Sequence, residues 1–452
     1  MKMMKNLIKR GKYILSIKTK LTFNKYSFLI GKIGGNVKVM CRFRPLNDNE
    51  LSKGGSKICS EFHKNNKSVT INSSKKTSEN FSGSNKFTFD RVFDINTTQR
   101  EVYEEAARPI IDGVLQGFNG TIFAYGQTGS GKTFTMQGPN IEDMKEQGIV
   151  PRMVRTIFSR IDNMSDNIEY TIKISMAEIY MEKIRDLLDA TKTDLKVKES
   201  SRKGIYIDNL TERYIASDSE VYDIMKMGNE NRKVACTEMN DESSRSHSIF
   251  IMTVSQTNID DDSCISGTLY LVDLAGSEKV AKTNVSGTQL DEAKGINKSL
   301  STLGKVINAL TDKKQTHIPY RESKLTRILT ESLGGNAKTV LIITCSPSPW
   351  NELETISTLR FGTAARNIKN KPIINKEYTV DELKKMVERR DKFLKIYQRR
   401  IKALEDFIQE NNLEIPSDEE LAKISEGIHS VKSSIVDIER APDSDEEDFQ
   451  QK

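Results

Sequence analysis

The sequence predicts an α/β layered domain built around a phosphate-binding loop. Three observations carry that prediction. Short apolar runs alternate with helical patterns through the body of the chain, a glycine-rich loop directly follows one of those runs, and another run ends in an aspartate with a glycine three residues on.

The elements follow in order. Val37-Lys38-Val39-Met40-Cys41-Arg42-Phe43 reads as a strand stopped by Pro45, and Thr121-Ile122-Phe123-Ala124-Tyr125 reads as another. The second leads into Gly126-Gln127-Thr128-Gly129-Ser130-Gly131-Lys132-Thr133, which is G-x-x-x-x-G-K-T in strand-then-loop context. Its glycines let backbone N–H groups turn into one concavity around phosphates. Lys132 is placed to reach the β- and γ-phosphates and the Thr133 hydroxyl to ligate magnesium, with the start of the following helix facing the anion. The motif leaves the nucleotide and its use open.

Such a site also needs an acid at the end of a second strand and groups that sense the γ-phosphate. Thr268-Leu269-Tyr270-Leu271-Val272-Asp273 is that strand, with Asp273 at its end. Gly276 has no side chain, so its N–H can approach the γ-phosphate closely, and Glu278 lies two residues on. Upstream, Asn240-Asp241-Glu242-Ser243-Ser244-Arg245-Ser246-His247 offers hydroxyls for the magnesium shell and a cation to pair with Glu278. Taken singly, each is an ordinary serine-rich turn or an acid-ended strand; taken in this order, they form one set. Leu290, Ala293, Ile296, Leu300, Leu303, Ile307 and Leu310 then recur at three and four, the pattern of an amphipathic helix.

Composition bounds the alternatives. The 452 residues are 36% hydrophobic and 29% charged, enough chain for one large domain or two to three average ones. No stretch approaches eighteen apolar residues, so a membrane span is not expected. The five cysteines (Cys41, Cys59, Cys236, Cys264, Cys345) include no C-x-x-C pair, which points to a reducing compartment rather than a disulfide framework or a cysteine-rich zinc site. The formal charge of +6 conceals three regions: +9 over residues 1–35, +5 over 36–413 and −8 over 414–452. Eight of the nine basic residues in the arm 1–35 are Lys, whereas a mitochondrial presequence favours Arg. The arm therefore reads as a flexible basic extension, with contact to an acidic surface as the functional alternative. The tail 414–452, ending Asp443-Ser444-Asp445-Glu446-Glu447-Asp448, is too charged to pack, and Ser444 is a candidate phosphorylation site within it.

With these residues in view, the sequence resembles a kinesin motor domain. The matching segments are Arg42-Phe43-Arg44-Pro45, the loop 126–133 with Phe134-Thr135-Met136, Asn240 to His247, and Asp273-Leu274-Ala275-Gly276-Ser277-Glu278. Further matches are Leu290 to Leu300, His317-Ile318-Pro319-Tyr320-Arg321-Glu322-Ser323-Lys324-Leu325-Thr326-Arg327, Leu333 to Asn336 and Leu359 to Ala364. Met40 to Asn47 and the linker after Arg366 are most similar to conventional heavy-chain kinesin.

The resemblance implies a P-loop NTPase with a central eight-stranded, mostly parallel sheet and helices on both faces, followed by a helical coiled-coil neck. It implies ATP and Mg2+ as cofactors and microtubules as partner, with no nucleic acid bound, in the cytoplasm and cytoskeleton. Gly126, Gln127, Thr128, Gly129, Ser130, Gly131, Lys132 and Thr133 would hold the phosphates. Arg42, Arg44 and Pro45 would hold the adenine and ribose side, and Phe134 would stack near the base. Conventional kinesins commonly carry His where Phe134 stands; stacking needs only an aromatic face. Thr133, Ser244 and Asp273 would serve the metal, the last two through water. Ser243, Ser244 and Gly276 would close over the γ-phosphate, while Arg245 and Glu278 would seal the site as an ion pair, Glu278 relaying a proton through water. Lys279, Lys282, Lys294, Lys298, Arg321, Lys324 and Arg327 would face the acidic microtubule, with Lys196, Lys198, Arg202 and Lys203 as a possible second loop on that face.

The implied organisation is a basic extension 1–35, a motor domain 36–368, a neck linker 369–379, a coiled-coil neck 380–413 and an acidic tail 414–452. Pro372 argues against helix in the linker, Ile373 and Ile374 favour docking as an edge strand, and Asn375 matches the family's latching asparagine. Val380, Val387, Leu394, Ile401 and Ile408 repeat every seven, with Leu383, Arg390, Tyr397, Leu404 and Asn411 offset by three. This predicts a two-stranded coil and a homodimer, against the alternative of a lone amphipathic helix. No long stalk or cargo segment follows residue 416, as in a short variant or an incomplete chain. The functional expectation is microtubule-stimulated ATP hydrolysis coupled to plus-end-directed movement. Its rival is a kinesin-fold module that grips microtubules without turnover, and the intact Lys132, Thr133, Asp273, Gly276, Arg245 and Glu278 favour the enzyme.

Overall fold

A computed structural model describes residues 35–72, 85–163, 167–200, 204–237, 244–278, 288–312, 314–377 and 380–410. The chain divides into two compact units, one ending at Glu377 and the other beginning at Tyr378.

The main path of the central sheet has eight strands: β1 (Lys38–Phe43), β2 (Arg91–Phe93), β3 (Gly120–Tyr125), β4 (Ile168–Tyr180), β5 (Arg213–Ile215), β6 (His247–Asn258), β7 (Cys264–Asp273) and β8 (Lys338–Cys345). Their order across the sheet is β5-β4-β6-β7-β3-β8-β1-β2. From β7 to β2 every neighbour pair is parallel. From β5 to β7 every pair is antiparallel. The sheet is therefore mixed, and the parallel part carries the phosphate loop. In that part the carboxyl ends of β1, β3, β7 and β8 emerge along one edge, where open α/β sheets bind ligands.

Side chains of the parallel strands alternate between two cores, because a strand has a period of two. In β3, Phe123 and Tyr125 enter one core while Ile122 and Ala124 enter the other. Helices α1 (Arg108–Val114), α2 (Lys132–Met136), α3 (Ile149–Ile161) and α4 (Asp218–Thr237) cover one face through Ile111, Met136, Met153, Val221 and Met225. Helices α5 (Thr288–Thr311), α6 (Lys324–Ile328) and α7 (Glu352–Ala365) cover the other through Leu303, Val306, Ile307, Leu325 and Leu359. The expected amphipathic helix is α5, and Leu300, Leu303 and Ile307 are buried as its period requires, while Lys298 is exposed. Each such apolar side chain contributes roughly 1.5–3 kcal/mol by leaving water.

The second unit contains α8 (Val380–Glu410), a helix of 31 residues and about 46 Å at 1.5 Å per residue. Val387, Leu394 and Ile401, one heptad apart, are each more than half exposed, as is Tyr397. Residues 411–413 of the expected neck, the arm 1–34 and the tail 414–452 lie outside the described residues.

Candidate nucleotide site and linker dock

The phosphate loop joins the end of β3 to α2. Gly129 and Gly131 take positive φ values of 72° and 99°, backbone that a side chain would strain. The Lys132 ammonium is buried and donates to the carbonyls of Gly126 (2.9 Å) and Gln127 (3.0 Å), and burial lowers its pKa. The Thr133 hydroxyl donates to Asp273 Oδ2 at 2.6 Å. This contact follows from the register, which sets Asp273 of β7 beside Ala124 of β3. The other carboxylate oxygen, Asp273 Oδ1, is buried and has no hydrogen-bond partner. A buried, unpartnered carboxylate oxygen beside a hydroxyl is a donor set that suits a hard divalent cation such as Mg2+.

The segment after Asp273 folds back onto the loop. Gly276 N–H donates to the Ser244 carbonyl (2.8 Å) and Ser277 N–H to the Gly126 carbonyl (3.1 Å). Thr128 gives Glu278 two hydrogen bonds, from N–H to Oε2 (2.8 Å) and from its hydroxyl to Oε1 (2.5 Å). A Cβ at Gly276 would stand 2.3 Å from Thr128 Oγ and 2.5 Å from the Glu278 carboxylate, so a larger residue would push the Thr128–Glu278 contact aside. Glu278 was expected opposite Arg245, and its contacts with Thr128 add a partner that the motif did not suggest. Ser244 and Arg245 are half-buried beside this segment, and Ser243 lies outside the described residues.

On the expected base side, Phe134 is 45% exposed, and the Arg42 guanidinium lies 5.3 Å from its ring centroid. Arg42 itself is buried and donates to Gln99 Oε1 and Thr135 Oγ, both at 2.8 Å; burial lowers its pKa to about 10. Its guanidinium thus packs on the Phe134 ring rather than opening to solvent. Arg44 donates to the Gly129 carbonyl (2.6 Å) and the Pro45 carbonyl (2.7 Å), and forms a fork with Glu50 at 2.6 and 2.8 Å. Burial alone would raise the pKa of Glu50, but hydrogen bonds from Arg44, Ser346 and the Asn47 N–H bring it down to about 2. Glu50 is also the third position of a capping box begun by Asn47, a signal the sequence did carry. Gln99, which donates to the Phe134 and Glu146 carbonyls, carried no signal of its own.

Behind the loop lies a buried polar layer. Arg232 of α4 donates to Glu178 Oε1 (3.3 Å), the Ser246 carbonyl (3.3 Å) and Ser246 Oγ (3.1 Å). His247 opens β6 with its ring buried; Nδ1 accepts from Ala275 N–H at 2.9 Å, and Nε2 lies 2.7 Å from Ser299 Oγ of α5. Burial first, and the charges of Arg232 and Lys132 second, lower its pKa to about 3, so the imidazole is neutral.

Of the expected track-facing cations, Lys298 and Arg321 are exposed, and Arg321 lies 3.4 Å from Glu199. Lys324 and Arg327 are half-buried; the Lys324 N–H donates to Glu182, and Arg327 Nε is buried without a hydrogen bond. Lys279 and Lys282 lie outside the described residues, as does the side chain of Lys294. Lys196 and Lys198 are exposed, Lys198 paired with Asp208 at 2.8 Å, while Arg202 and Lys203 lie outside.

At the opposite ends of β3 and β7 lies the segment expected as a linker. Lys369–Asn370 pairs with Gly35–Asn36, and Lys376–Glu377 pairs with Cys264–Ile265 at the start of β7. Between them the Asn375 amide donates to the Gly117 carbonyl, Asn119 Oδ1 and the Ser266 carbonyl at 2.9–3.0 Å. Its own backbone exchanges hydrogen bonds with Gly117 and Ser266, and Asn336 Nδ2 donates to its Oδ1. Ile373 and Ile374 stay about half exposed. Amides, more than the β-branched side chains, hold the segment.

A family model described as the kinesin motor domain matches residues 42–368. Kinesin-related protein 3 of Dictyostelium discoideum is 55% identical over 372 residues, 82% of this chain and 30% of that protein. Kinesin heavy chain isoform 5C of Homo sapiens is 49% identical over 389 residues, 86% of this chain and 39% of that protein. The chain thus spans about a third of the length of these curated relatives. Among solved structures, a fast kinesin described for its ATPase mechanism and interactions with microtubules matches at TM-score 0.71 and 52% identity, covering 76% of this chain and 95% of that one.

Proposed function

The chain belongs to the kinesin motor domain family, and on that premise we propose that it hydrolyses ATP in a microtubule-stimulated cycle coupled to plus-end-directed movement along microtubules. The observation that carries this reading is the segment Asp273–Glu278. It touches Thr133, Gly126 and Thr128 of the phosphate loop and Ser244 of the hydroxyl-rich segment at once.

The chemistry is phosphoryl transfer to water, in which positioning and charge stabilisation do most of the work. The loop amides and Lys132 hold the β- and γ-phosphates, and the Lys132 ammonium exchanges its two carbonyl acceptors for phosphate oxygens. Thr133, Ser244 and Asp273 would hold Mg2+, which supplies charge neutralisation on the phosphate oxygens when bound. Gly276 N–H donates toward the γ-phosphate beside the Thr128–Glu278 contact, which a Cβ would push aside. Glu278, released from Thr128 or acting from it, orders water and takes up its proton, with Arg245 as its charge partner. Arg42 backs the Phe134 ring on which the base stacks, and Arg44 and Pro45 border the base and ribose.

In this reading residues 36–368 are the motor, 369–379 the neck linker and 380–413 a dimerising neck, flanked by the arms 1–35 and 414–452. Lys279, Lys282, Lys294, Lys298, Arg321, Lys324 and Arg327 form the microtubule-facing set, and the protein works on the cytoplasmic cytoskeleton. The exposed stripe Val387, Leu394 and Ile401 supports pairing of α8 with a second copy. Steady-state ATP turnover by the full chain with and without microtubules tests the proposal. Stimulation supports it, and a rate that microtubules leave unchanged sinks it.

A further inference from the structure

His247 stands where three elements meet. It follows Ser246, whose carbonyl and hydroxyl are held by the buried Arg232. Its Nδ1 accepts the N–H of Ala275, the residue immediately before Gly276. Its Nε2 lies 2.7 Å from the hydroxyl of Ser299, on the helix that carries the exposed Lys298. Because Ala275 N–H is obligatorily a donor, Nδ1 is the acceptor, so the ring proton sits on Nε2 and is donated to Ser299. Ring and hydroxyl are both buried, each about 2% exposed, and no water can replace either partner cheaply.

We propose that the His247 imidazole is a positioning residue that couples the phosphate-sensing loop to α5 through Ser299. The inference rests on the motor reading above and gives it a physical link. Gly276 N–H is held by Ser244 O, and when it turns to the γ-phosphate the adjacent Ala275 N–H moves with it. A neutral buried ring with one acceptor and one donor follows the Ala275 N–H, because losing that contact strands a buried polar group. Its Nε2–H then carries Ser299, and with it the α5 turn that bears Lys298. The nucleotide state is thereby passed to the track-facing helix through two neutral hydrogen bonds.

The substitutions divide the two bonds. Ser299→Ala removes the acceptor on α5 at nearly constant volume. His247→Asn keeps an acceptor near the Nδ1 position for Ala275 but is too short to reach Ser299. In the full chain, amide hydrogen exchange of peptides covering 288–311 is compared between ADP and a non-hydrolysable ATP analogue, alongside the ratio of microtubule-stimulated to basal turnover. The parent should show a nucleotide-dependent difference in exchange across α5. Ser299→Ala and His247→Asn should each shrink that difference and lower the stimulation ratio about fivefold, the scale of one hydrogen bond. The double variant should lose no more than either single one. The link is overturned if the parent shows no nucleotide dependence in α5, if Ser299→Ala retains the parental difference, or if the two substitutions multiply. A parent whose turnover microtubules do not stimulate would instead refute the motor reading, and the exchange measurement still decides the link.

Discussion

Strands β3 and β7 lie side by side and in parallel, and their two ends are built from different chemistry. At the carboxyl ends, buried charge dominates: Lys132, Asp273 and Arg232 lie within a layer of hydroxyls and a neutral His247. At the amino ends, Asn375, Asn119 and Asn336 hold the linker with neutral amide hydrogen bonds at a partly exposed surface. The ten residues of β7 span about 33 Å between them. Buried charge is costly to leave unpaired, which suits a site that must bind phosphate strongly. Neutral bonds near solvent exchange readily with water, so they cost less to break than buried charged ones. One pair of parallel strands thus runs from a buried, charged site to a partly exposed set of amide contacts.

That contrast can be broken at either end, and the largest effect is expected at the charged one. Glu278→Ala should lower ATP turnover by about 100-fold or more while leaving ATP binding measurable by equilibrium titration. Unchanged turnover would remove Glu278 from the chemistry. At the other end, Asn375→Ala removes both amide donors from the dock. It should reduce gliding velocity by about tenfold with basal ATP hydrolysis near the parental rate, since no phosphate contact is touched. Equal losses in both assays would show that the two ends are not separable. Lys298→Ala with Arg321→Ala should weaken microtubule affinity by roughly threefold to tenfold at low salt, and by less at high salt, because both cations are exposed. An effect that does not shrink with salt would place these residues off the interface.

The smallest effect concerns stability. His247 has a folded-state pKa of about 3, below its ordinary value of 6.5, so the unfolded chain binds the extra proton first as pH falls. Its contribution is complete above pH 6.5 and is lost progressively as pH falls toward 3. The melting temperature should therefore drop more steeply over that window in the parent than in His247→Asn. Parallel curves would show that His247 does not titrate as a buried group.

The phosphate loop and the Asp273–Glu278 segment were legible because each is a contiguous run whose residue types have narrow chemical uses. One helical face was legible as apolar periodicity, in Leu300, Leu303 and Ile307 of α5; the helices of the other face were expected only from the resemblance. The supporting layer was not. Gln99 meets Arg42 across 57 residues, Glu50 meets Ser346 across 296, and His247 meets Ser299 across 52. No local spacing announces such pairs, and a glutamine or a serine alone has many uses. The mixed character of the sheet was equally hidden, because the residue pattern of a strand does not say which way its neighbour runs.

The sequence by itself determined which chemistry is present: a glycine-built phosphate cradle, a lysine, a hydroxyl, an aspartate that ends a strand, and an asparagine, Asn375, in the segment expected as a linker. These are properties of residue type and near-neighbour order. Only the tertiary structure decided that Glu278 rests on Thr128, that Arg42 works behind Phe134, and that His247 joins the loop to α5. Those contacts arise from the register between β3 and β7 and from helices packed on both faces, and a buried donor must find its acceptor wherever the fold has brought one.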